Sequence, residues 1–193
     1  MKILKIDPSS QQRDIILKIS KEILEGKIFV YPTDTVYGIG CGISFEEKIK
    51  EIYEIKKRSF DKPVSIAFSD LEMLKSYTIL SEEEEEFIKK NYDKGYTFVV
   101  RKKRGKIPEI VSKGSKVGVR IIPLKLIQGI IRESMPIITT SANLSGKKAP
   151  AKISEIEKEI LRRVDFILDG GKCKLGKPSR VIDLETMEIL RDF

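Results

Sequence analysis

The strongest indication of the fold is the sequence YPTDTVYGIG at residues 31–40. It begins at the end of a short apolar run, residues 28–31, which predicts a buried strand that ends at Pro32. Hydroxyl, carboxylate and glycine residues follow at the carboxyl end of this strand, where ligands bind in open α/β sheets. The stretch therefore predicts an α/β protein with a candidate site directly after this strand.

Strand-like and helix-like segments alternate around this stretch. Apolar runs predict further strands at residues 3–6, 64–68, 97–101, 117–122, 136–140, 166–168, 181–184 and 188–190. Helical spacing predicts a helix from Ser9 or Ser10 to Gly26 and others at residues 44–57, 124–133 and 153–164, and capping boxes predict helix starts at Ser44, Ser69 and Ser81. The alternation predicts one α/β domain over residues 1–193, with a large mixed sheet.

The composition excludes several classes of chemistry. The 193 residues include no His and only two Cys, Cys41 and Cys173. A Ser-His-Asp triad, a Cys-His pair and an imidazole metal site are therefore impossible, and two thiols cannot form a four-thiolate zinc site. General acid–base catalysis would therefore need carboxylates, Lys, Tyr, water or the substrate itself.

The charge and the termini give weaker expectations. The 37 Lys and Arg against 29 Asp and Glu give a net charge of +8, which favours an anionic partner such as a nucleotide or RNA, although a Lys-rich and Glu-rich surface gives the same balance. The apolar start breaks at Asp7-Pro8, and no apolar run approaches the roughly 18 residues of a membrane span. We therefore expect a cytoplasmic protein with no membrane contact and with reduced thiols.

Three polar stretches follow predicted strands, at residues 32–38, 139–146 and 169–180. Each alone has the composition of an ordinary turn, but three at strand ends favour a site. Within the third, residues 171–177 match GxxxxGK, yet Pro178 follows where a phosphate-binding loop needs Ser or Thr. The third stretch is therefore not a P-loop.

Basic residues form the remaining candidates. Lys56, Lys57, Arg58 and Lys62 stand at a predicted helix end, where they could meet a triphosphate or simply complement the helix dipole. Arg120 differs because it lies on an apolar strand, where burial requires an anion or an acid beside it.

Five motifs in order carry a resemblance to a known family: residues 31–40, Lys56-Lys57-Arg58 with Lys62-Pro63, Val117-Gly118-Val119-Arg120, Ser141-Ala142-Asn143-Leu144-Ser145-Gly146, and Ser179 before Val181-Ile182-Asp183. Together they resemble the YrdC/TsaC family of L-threonylcarbamoyladenylate synthases over nearly the whole chain. The resemblance implies a single twisted mixed-sheet domain with flanking helices and a concave basic cavity.

The resemblance also implies a reaction. A nucleotidyltransferase of this kind joins L-threonine, bicarbonate and ATP into L-threonylcarbamoyl-AMP and releases pyrophosphate. The product feeds the N6-threonylcarbamoyl modification of adenosine 37 in tRNA through a separate threonylcarbamoyl transferase complex, and tRNA is a further candidate partner. ATP enters as a substrate, Mg²⁺ is expected on the nucleotide, and no protein-bound metal is expected.

The implied site residues fall into two groups. Contacts to L-threonine are implied for Thr35, Arg120, Thr139 and Ser179. Contacts to ATP are implied for Lys56, Arg58, Lys62, Ser141, Asn143 and Arg191, with Lys56 and Arg58 also catalytic because they would neutralise charge on the phosphates.

The chain departs from the family pattern at three places. Ala67 stands where His is common, residues 92–97 read YDKGYT in place of Trp-Pro-Gly-Pro-Leu-Thr, and Ser179-Arg180-Val181 replaces Ser-Thr-Val. Two alternatives stay open: a paralogue of the same fold with another acceptor, and a non-catalytic RNA-binding module, although the sequence has no aromatic-rich RNP-like strand.

Overall fold

The two faces of one long sheet organise the molecule, which a computed structural model describes over residues 2–192. The strands are β1 (Lys2–Lys5), β2 (Phe29–Tyr31), β3 (Gly38–Gly40), β4 (Ser65–Phe68), β5 (Thr78–Ile79), β6 (Tyr96–Lys102), β7 (Lys116–Ile121), β8 (Ile137–Ser141), β9 (Phe166–Asp169), β10 (Arg180–Asp183) and β11 (Ile189–Arg191). The helices are α1 (Arg13–Leu24), α2 (Glu46–Ile55), α3 (Leu71–Tyr77), α4 (Glu82–Asn91), α5 (Lys125–Arg132) and α6 (Lys158–Leu161).

The strands form a mixed sheet in the order β1-β9-β2-β3-β8-β4-β7-β6-β10-β11, with β5 paired to β6. The pairs β1–β9, β9–β2, β4–β7 and β6–β10 are parallel, and the other pairs are antiparallel. The predicted mixed α/β fold with flanking helices is confirmed. No helix within residues 2–192 is long and apolar enough to cross a bilayer.

Alternation along the strands gives the two faces different chemistry, because successive side chains point to opposite sides. The first face carries Val30, Ile66, Ile138 and Ile167, which belong to the larger apolar cluster together with residues of α2. The second face begins as apolar, with Phe29, Tyr31, Ala67, Ile137 and Phe166 packed with residues of α1 and α5. Further along the same strands, this second face becomes polar.

The strand β3 was not predicted, and a close approach of backbones explains the glycine at its end, Gly40. A Cβ atom built on Gly40 would lie 2.0 Å from the carbonyl oxygen of Ile138. Only glycine therefore lets β3 pair between β2 and β8 at this distance. The short strand β5 was not predicted either.

Several predicted helix boundaries are wrong. Helix α1 begins after Gln12 and not at Ser9 or Ser10, and α2 begins after Phe45, whose carbonyl accepts the first helical hydrogen bond from Ile49 N at 3.0 Å. The capping box at Ser81 is confirmed, whereas Asp70 caps α3 in place of Ser69.

The helix predicted for residues 153–164 is also wrong. It is a 3₁₀ turn at Ile153–Glu155 followed by the single turn of α6. Between them, Ile156 adopts an extended conformation (φ −79°, ψ 132°) and is buried in the larger apolar cluster. The tertiary burial of this side chain overrides the helical spacing of the sequence.

Candidate functional site

The polar half of the second sheet face forms the floor of a cavity of about 280 Å³. Alternate residues of four neighbouring strands line it, and the loop before β3 and the chain end close it. The floor residues are Ser65 on β4, Thr97 and Val99 on β6, Gly118 and Arg120 on β7, and Thr139 and Ser141 on β8. The walls include Thr33, Thr35, Arg58, Pro178, Ser179 and Arg191. Hydroxyl groups and arginines therefore surround one concave space.

The lining is positively charged. Arg58, Arg120 and Arg191 line the cavity, and its lining within residues 2–192 includes no Asp or Glu. Burial lowers the pKa of Arg191, and repulsion from Arg120 and Arg58 lowers it further. An anion placed among these guanidinium groups would relieve that repulsion, so the cavity suits a negatively charged ligand.

Arg120 is buried and is met by an acid. Its Nη2 donates to Asp34 Oδ1 at 2.7 Å, its Nη1 donates to Thr35 Oγ1 at 2.9 Å, and both charged side chains are less than one-tenth exposed. Burial raises the pKa of Asp34, while the positive charge of Arg120 opposes this rise. The sequence argument that Arg120 needs an anion or an acid is confirmed, and the acid is Asp34, which the sequence did not single out.

Hydroxyl groups hold the segment that carries Asp34 and Thr35. Thr33 Oγ1 donates to Val36 O at 2.7 Å and accepts from Thr35 N at 3.1 Å, and it lies 2.8 Å from Thr35 Oγ1. Leu175 N also donates to Asp34 O at 2.9 Å. The local turn and the segment after β9 together fix the direction of the Thr35 hydroxyl.

Ser179 and Arg191 form a second cluster across the cavity. Arg191 donates from Nε and Nη2 to Ser179 O at 3.0 and 2.7 Å, and from Nη2 to Ser179 Oγ at 2.9 Å. Ser179 Oγ lies 2.7 Å from Thr97 Oγ1. Sequence reasoning missed Thr97, although a Thr on an apolar strand beside a predicted site was an available signal.

Helix α2 ends in a turn that directs Arg58 towards the cavity. Lys57 has a positive φ of 50°, and the amides of Lys57 and Arg58 donate back to Glu54 O and Tyr53 O at 3.0 and 2.9 Å. These bonds define a Schellman motif with Lys in the left-handed position. Arg58 then donates to Lys62 O at 3.1 Å and to Pro63 O at 2.8 Å. Lys62 contributes its carbonyl here, and its exposed side chain does not line the cavity.

Lys56 lies behind the cavity wall instead of on its surface. It is 2% exposed, and its Nζ donates to Asn143 O at 2.7 Å and to Ser141 O. Burial, with repulsion from Arg58, lowers the pKa of Lys56 to about 7. Direct contact between Lys56 and a nucleotide stays a prediction.

Asn143 is also buried and outside the lining. Its Nδ2 donates to Leu144 O at 2.9 Å and to Lys147 O at 2.7 Å, while its Oδ1 has no hydrogen-bond partner among the described residues. The structure thus brings Thr35, Arg58, Arg120, Thr139, Ser141, Ser179 and Arg191 to one cavity. Lys56, Lys62 and Asn143 lie next to this set and not on its surface.

The residues present do not fit a protein-bound metal. Within residues 2–192 no group of three or more His, Cys, Asp or Glu side chains is placed to hold a metal ion. The cavity offers hydroxyl and carbonyl oxygens, whereas Mg²⁺ in proteins is usually bound by one or two carboxylates together with substrate phosphates.

The sequence and the fold agree with a known family. The sequence model of Sua5/YciO/YrdC, described as telomere recombination, matches residues 21–192. The chain belongs to the Sua5/YciO/YrdC family. A Methanocaldococcus jannaschii protein provisionally named threonylcarbamoyl-AMP synthase is 40% identical over 193 residues, which is 98% of this chain and 90% of that protein.

Two solved structures are similar to the chain. Sua5 from P. abyssi in complex with L-threonine is 30% identical with a TM-score of 0.87, and the match covers 96% of this chain and 55% of that one. YciO from E. coli is 26% identical with a TM-score of 0.88, and the match covers 100% of this chain and 96% of that one. The chain therefore spans just over half of the P. abyssi protein and nearly all of YciO.

Proposed function

We propose that this chain is a threonylcarbamoyl-AMP synthase that joins L-threonine, bicarbonate and ATP and releases pyrophosphate. One observation carries the proposal: seven of the ten residues implied by the family resemblance, three of them arginines, line a single cavity. The relatives add support, because one carries the synthase name provisionally and a similar structure binds L-threonine.

The amino-acid half of the site would lie around Arg120. A guanidinium group binds a carboxylate well because its N–H groups form a planar fork. Thr35, Thr139 and Ser179 surround this position with hydroxyl groups that can accept from an ammonium group or donate to a hydroxyl. Arg120 would bind the threonine carboxylate, and the three hydroxyls would orient the amine and the side chain.

The nucleotide half would lie between Arg58, Arg191 and the segment after β8. The two arginines are permanent cations on the cavity surface and would neutralise the phosphates. Ser141 lines the cavity at the end of β8 and would contact the nucleotide, with Asn143 next to it and Lys62 at the exposed rim.

The proposed mechanism uses position and charge and no protein nucleophile. The threonine ammonium group first loses a proton to solvent, and the neutral nitrogen forms a bond to the carbon of bicarbonate. The bicarbonate hydroxyl takes a second proton from this nitrogen and leaves as water, which gives a carbamate. A carbamate oxygen then attacks the α-phosphorus of ATP, and the bond from that phosphorus to pyrophosphate breaks. Holding reactants in line supplies roughly 7–11 kcal/mol in the best intramolecular systems. A magnesium ion carried by ATP would add charge stabilisation on the phosphates.

The proposal extends to the setting of the reaction. The chain would act in the cytoplasm as a single domain, and a separate transferase complex would use its product to modify adenosine 37 of tRNA. The +8 net charge is compatible with tRNA as a further partner.

The test is pyrophosphate release from ATP and Mg²⁺, with L-threonine and bicarbonate each omitted in turn. Release that needs both co-substrates supports the synthase. Release that needs bicarbonate and a different amino acid or another acceptor would replace it with the paralogue. Salt-sensitive binding of RNA with no binding of ATP would favour the non-catalytic RNA-binding module.

One structural observation supports the second candidate, a paralogue of the same fold that uses another acceptor. Ala67, where the family commonly has His, pairs in register with Arg120 across β4 and β7. The departure therefore lies beside the proposed carboxylate-binding residue.

A further inference from the structure

Lys56, at the end of α2, forms hydrogen bonds to the segment after β8. The side chain of Lys56 donates to the carbonyls of Ser141 and Asn143, and its own carbonyl accepts from Ser145 N at 2.8 Å. We propose that Lys56 is a positioning residue that holds residues 141–145 in place for the nucleotide and does not contact the phosphates. This inference rests on the function proposed above.

The contacts of Lys56 account for the shape of this segment. Residues 142–145 form no helix or strand, so their backbone groups need partners elsewhere. Ala142 N donates to Tyr37 O at 2.8 Å, which fixes the side facing β3. On the side facing α2, the Lys56 ammonium group donates to two carbonyls of this segment, and the Lys56 carbonyl accepts from one of its amides. Without its ammonium group, two buried carbonyl oxygens would lose a donor.

The placement of Lys56 argues against a phosphate contact. Lys56 is 2% exposed and is not among the residues that line the cavity, whereas Arg58 is. With a pKa of about 7, about half of the Lys56 side chains are neutral at neutral pH, and the neutral amine still has two N–H groups for the two carbonyls. Glu157 is the acid that opposes this lowering of the Lys56 pKa.

The decisive comparison uses two probes that share phosphates and differ in the nucleoside: ATP and inorganic tripolyphosphate. Calorimetry would measure both affinities for wild type, Lys56→Met and Arg58→Ala. We expect Lys56→Met to weaken ATP about tenfold, the effect of one lost contact of ~1.4 kcal/mol, and to leave tripolyphosphate within about twofold of wild type. Arg58→Ala should weaken both probes. Equal loss of both probes in Lys56→Met would overturn the inference.

The neighbouring residue provides a matched control. Lys57 is exposed and pairs with Glu159 at 2.8 Å, so Lys57→Met removes the same charge at the same helix end without touching residues 141–145. We expect it to bind both probes as wild type does. A loss of ATP affinity in Lys57→Met as large as in Lys56→Met would contradict a specific role for Lys56.

Hydrogen exchange separates this inference from the proposed function. The Ser145 amide should exchange faster in Lys56→Met than in wild type, while the Leu175 amide, bonded to Asp34 O at 2.9 Å, should not change. Unchanged exchange at Ser145 would overturn the positioning role whether or not ATP binds. Failure of wild type to bind ATP, with faster exchange at Ser145 in Lys56→Met, would overturn the proposed function and leave only the structural role of Lys56 in holding residues 141–145.

A measurement on the wild-type protein covers the case in which Lys56→Met does not fold. Nitrogen-15 NMR of the lysine side chains would follow the Nζ signal of Lys56 during addition of tripolyphosphate. We expect the signal to stay in place while the Arg58 side-chain signals move. A shift of the Lys56 signal as large as that of Arg58 would show a phosphate contact and contradict the inference.

Discussion

Arg120 and Asp34 form a buried ion pair in which one guanidinium nitrogen meets one carboxylate oxygen. Arg120 Nη2 donates to Asp34 Oδ1 at 2.7 Å, while Asp34 Oδ2 and Arg120 Nε have no hydrogen-bond partner among the described residues. The pairing is end-on and not the two-bond fork that Arg and carboxylate commonly form. The guanidinium group can therefore be held by the protein and still bind a second carboxylate.

Removing the charge of Asp34 should destabilise the fold. Asp34→Asn leaves the positive charge of Arg120 buried without compensation, and breaking one side of such a pair costs about 3–5 kcal/mol. Urea unfolding at neutral pH measures the change. A loss below about 1 kcal/mol would show that the pair is solvated in solution, contrary to its burial.

Lys56 should make the stability of the protein depend on pH in a defined direction. Its pKa in the folded protein is about 7 against an ordinary value of 10.5, so between these values the unfolded chain binds a proton that the folded chain does not. The contribution of Lys56 to the free energy of unfolding therefore rises as pH increases from 7 towards 10.5.

The measurement for this prediction is the difference in the free energy of unfolding between wild type and Lys56→Met across that range of pH. Other titrating groups, such as the buried thiol of Cys173, are common to both proteins and cancel in the difference. A difference that stays constant or shrinks with increasing pH would mean that Lys56 remains charged in the folded state.

A methyl group at Gly118 should obstruct the cavity floor. A Cβ atom there would lie 2.8 Å from Ser65 Oγ and 3.3 Å from Thr97 Cγ2, and all three residues line the cavity. We expect Gly118→Ala to lower the rate of pyrophosphate release about tenfold or more, because small displacements of bound reactants have large effects on rate. Gly114→Ala is the matched control, since a Cβ atom at Gly114 meets nothing within 4 Å. Equal activity of the two variants would show that the reaction does not take place in this cavity.

Substitution of Arg191 should weaken the binding of both substrates. Arg191 donates hydrogen bonds to the carbonyl and the hydroxyl of Ser179, and it also lines the cavity. Arg191→Lys keeps the charge and loses the planar fork that makes these bonds. We expect the KM for ATP and the KM for L-threonine to rise together, each about three- to tenfold, the scale of one lost hydrogen bond. An increase for ATP alone would mean that Ser179 does not need Arg191.

The motifs of the sequence predicted seven residues that the structure brings to one cavity, and their roles stay predictions. The strand β8 reads IITTS, so Thr139 and Ser141 fall on the same face as Ile137, and the change from apolar to hydroxyl marks the edge of the cavity floor. The position of Arg120 on an apolar strand indicated a buried partner. The family resemblance implied Thr139 and Ser141, and the period of a strand explains why both lie on the face that lines the cavity.

Other features depend on tertiary contacts that local patterns in the sequence do not reveal. Asp34 and Arg120 are 86 residues apart, and local spacing says nothing about their pairing. Basic residues at the end of a helix are usually exposed, so the burial of Lys56 was not predictable from its position. The predicted helix over residues 153–164 failed because the burial of Ile156 in extended conformation outweighs helical spacing.

The most direct test of the proposed activity is the identity of the product. The protein would be incubated with ATP, Mg²⁺, L-threonine and bicarbonate labelled with carbon-13. The nucleotides would then be separated, and their masses would be measured by mass spectrometry. The account predicts threonylcarbamoyl-AMP that carries the label, formed by wild type and greatly reduced in Gly118→Ala. AMP or ADP as the sole nucleotide product, with no label attached, would contradict it.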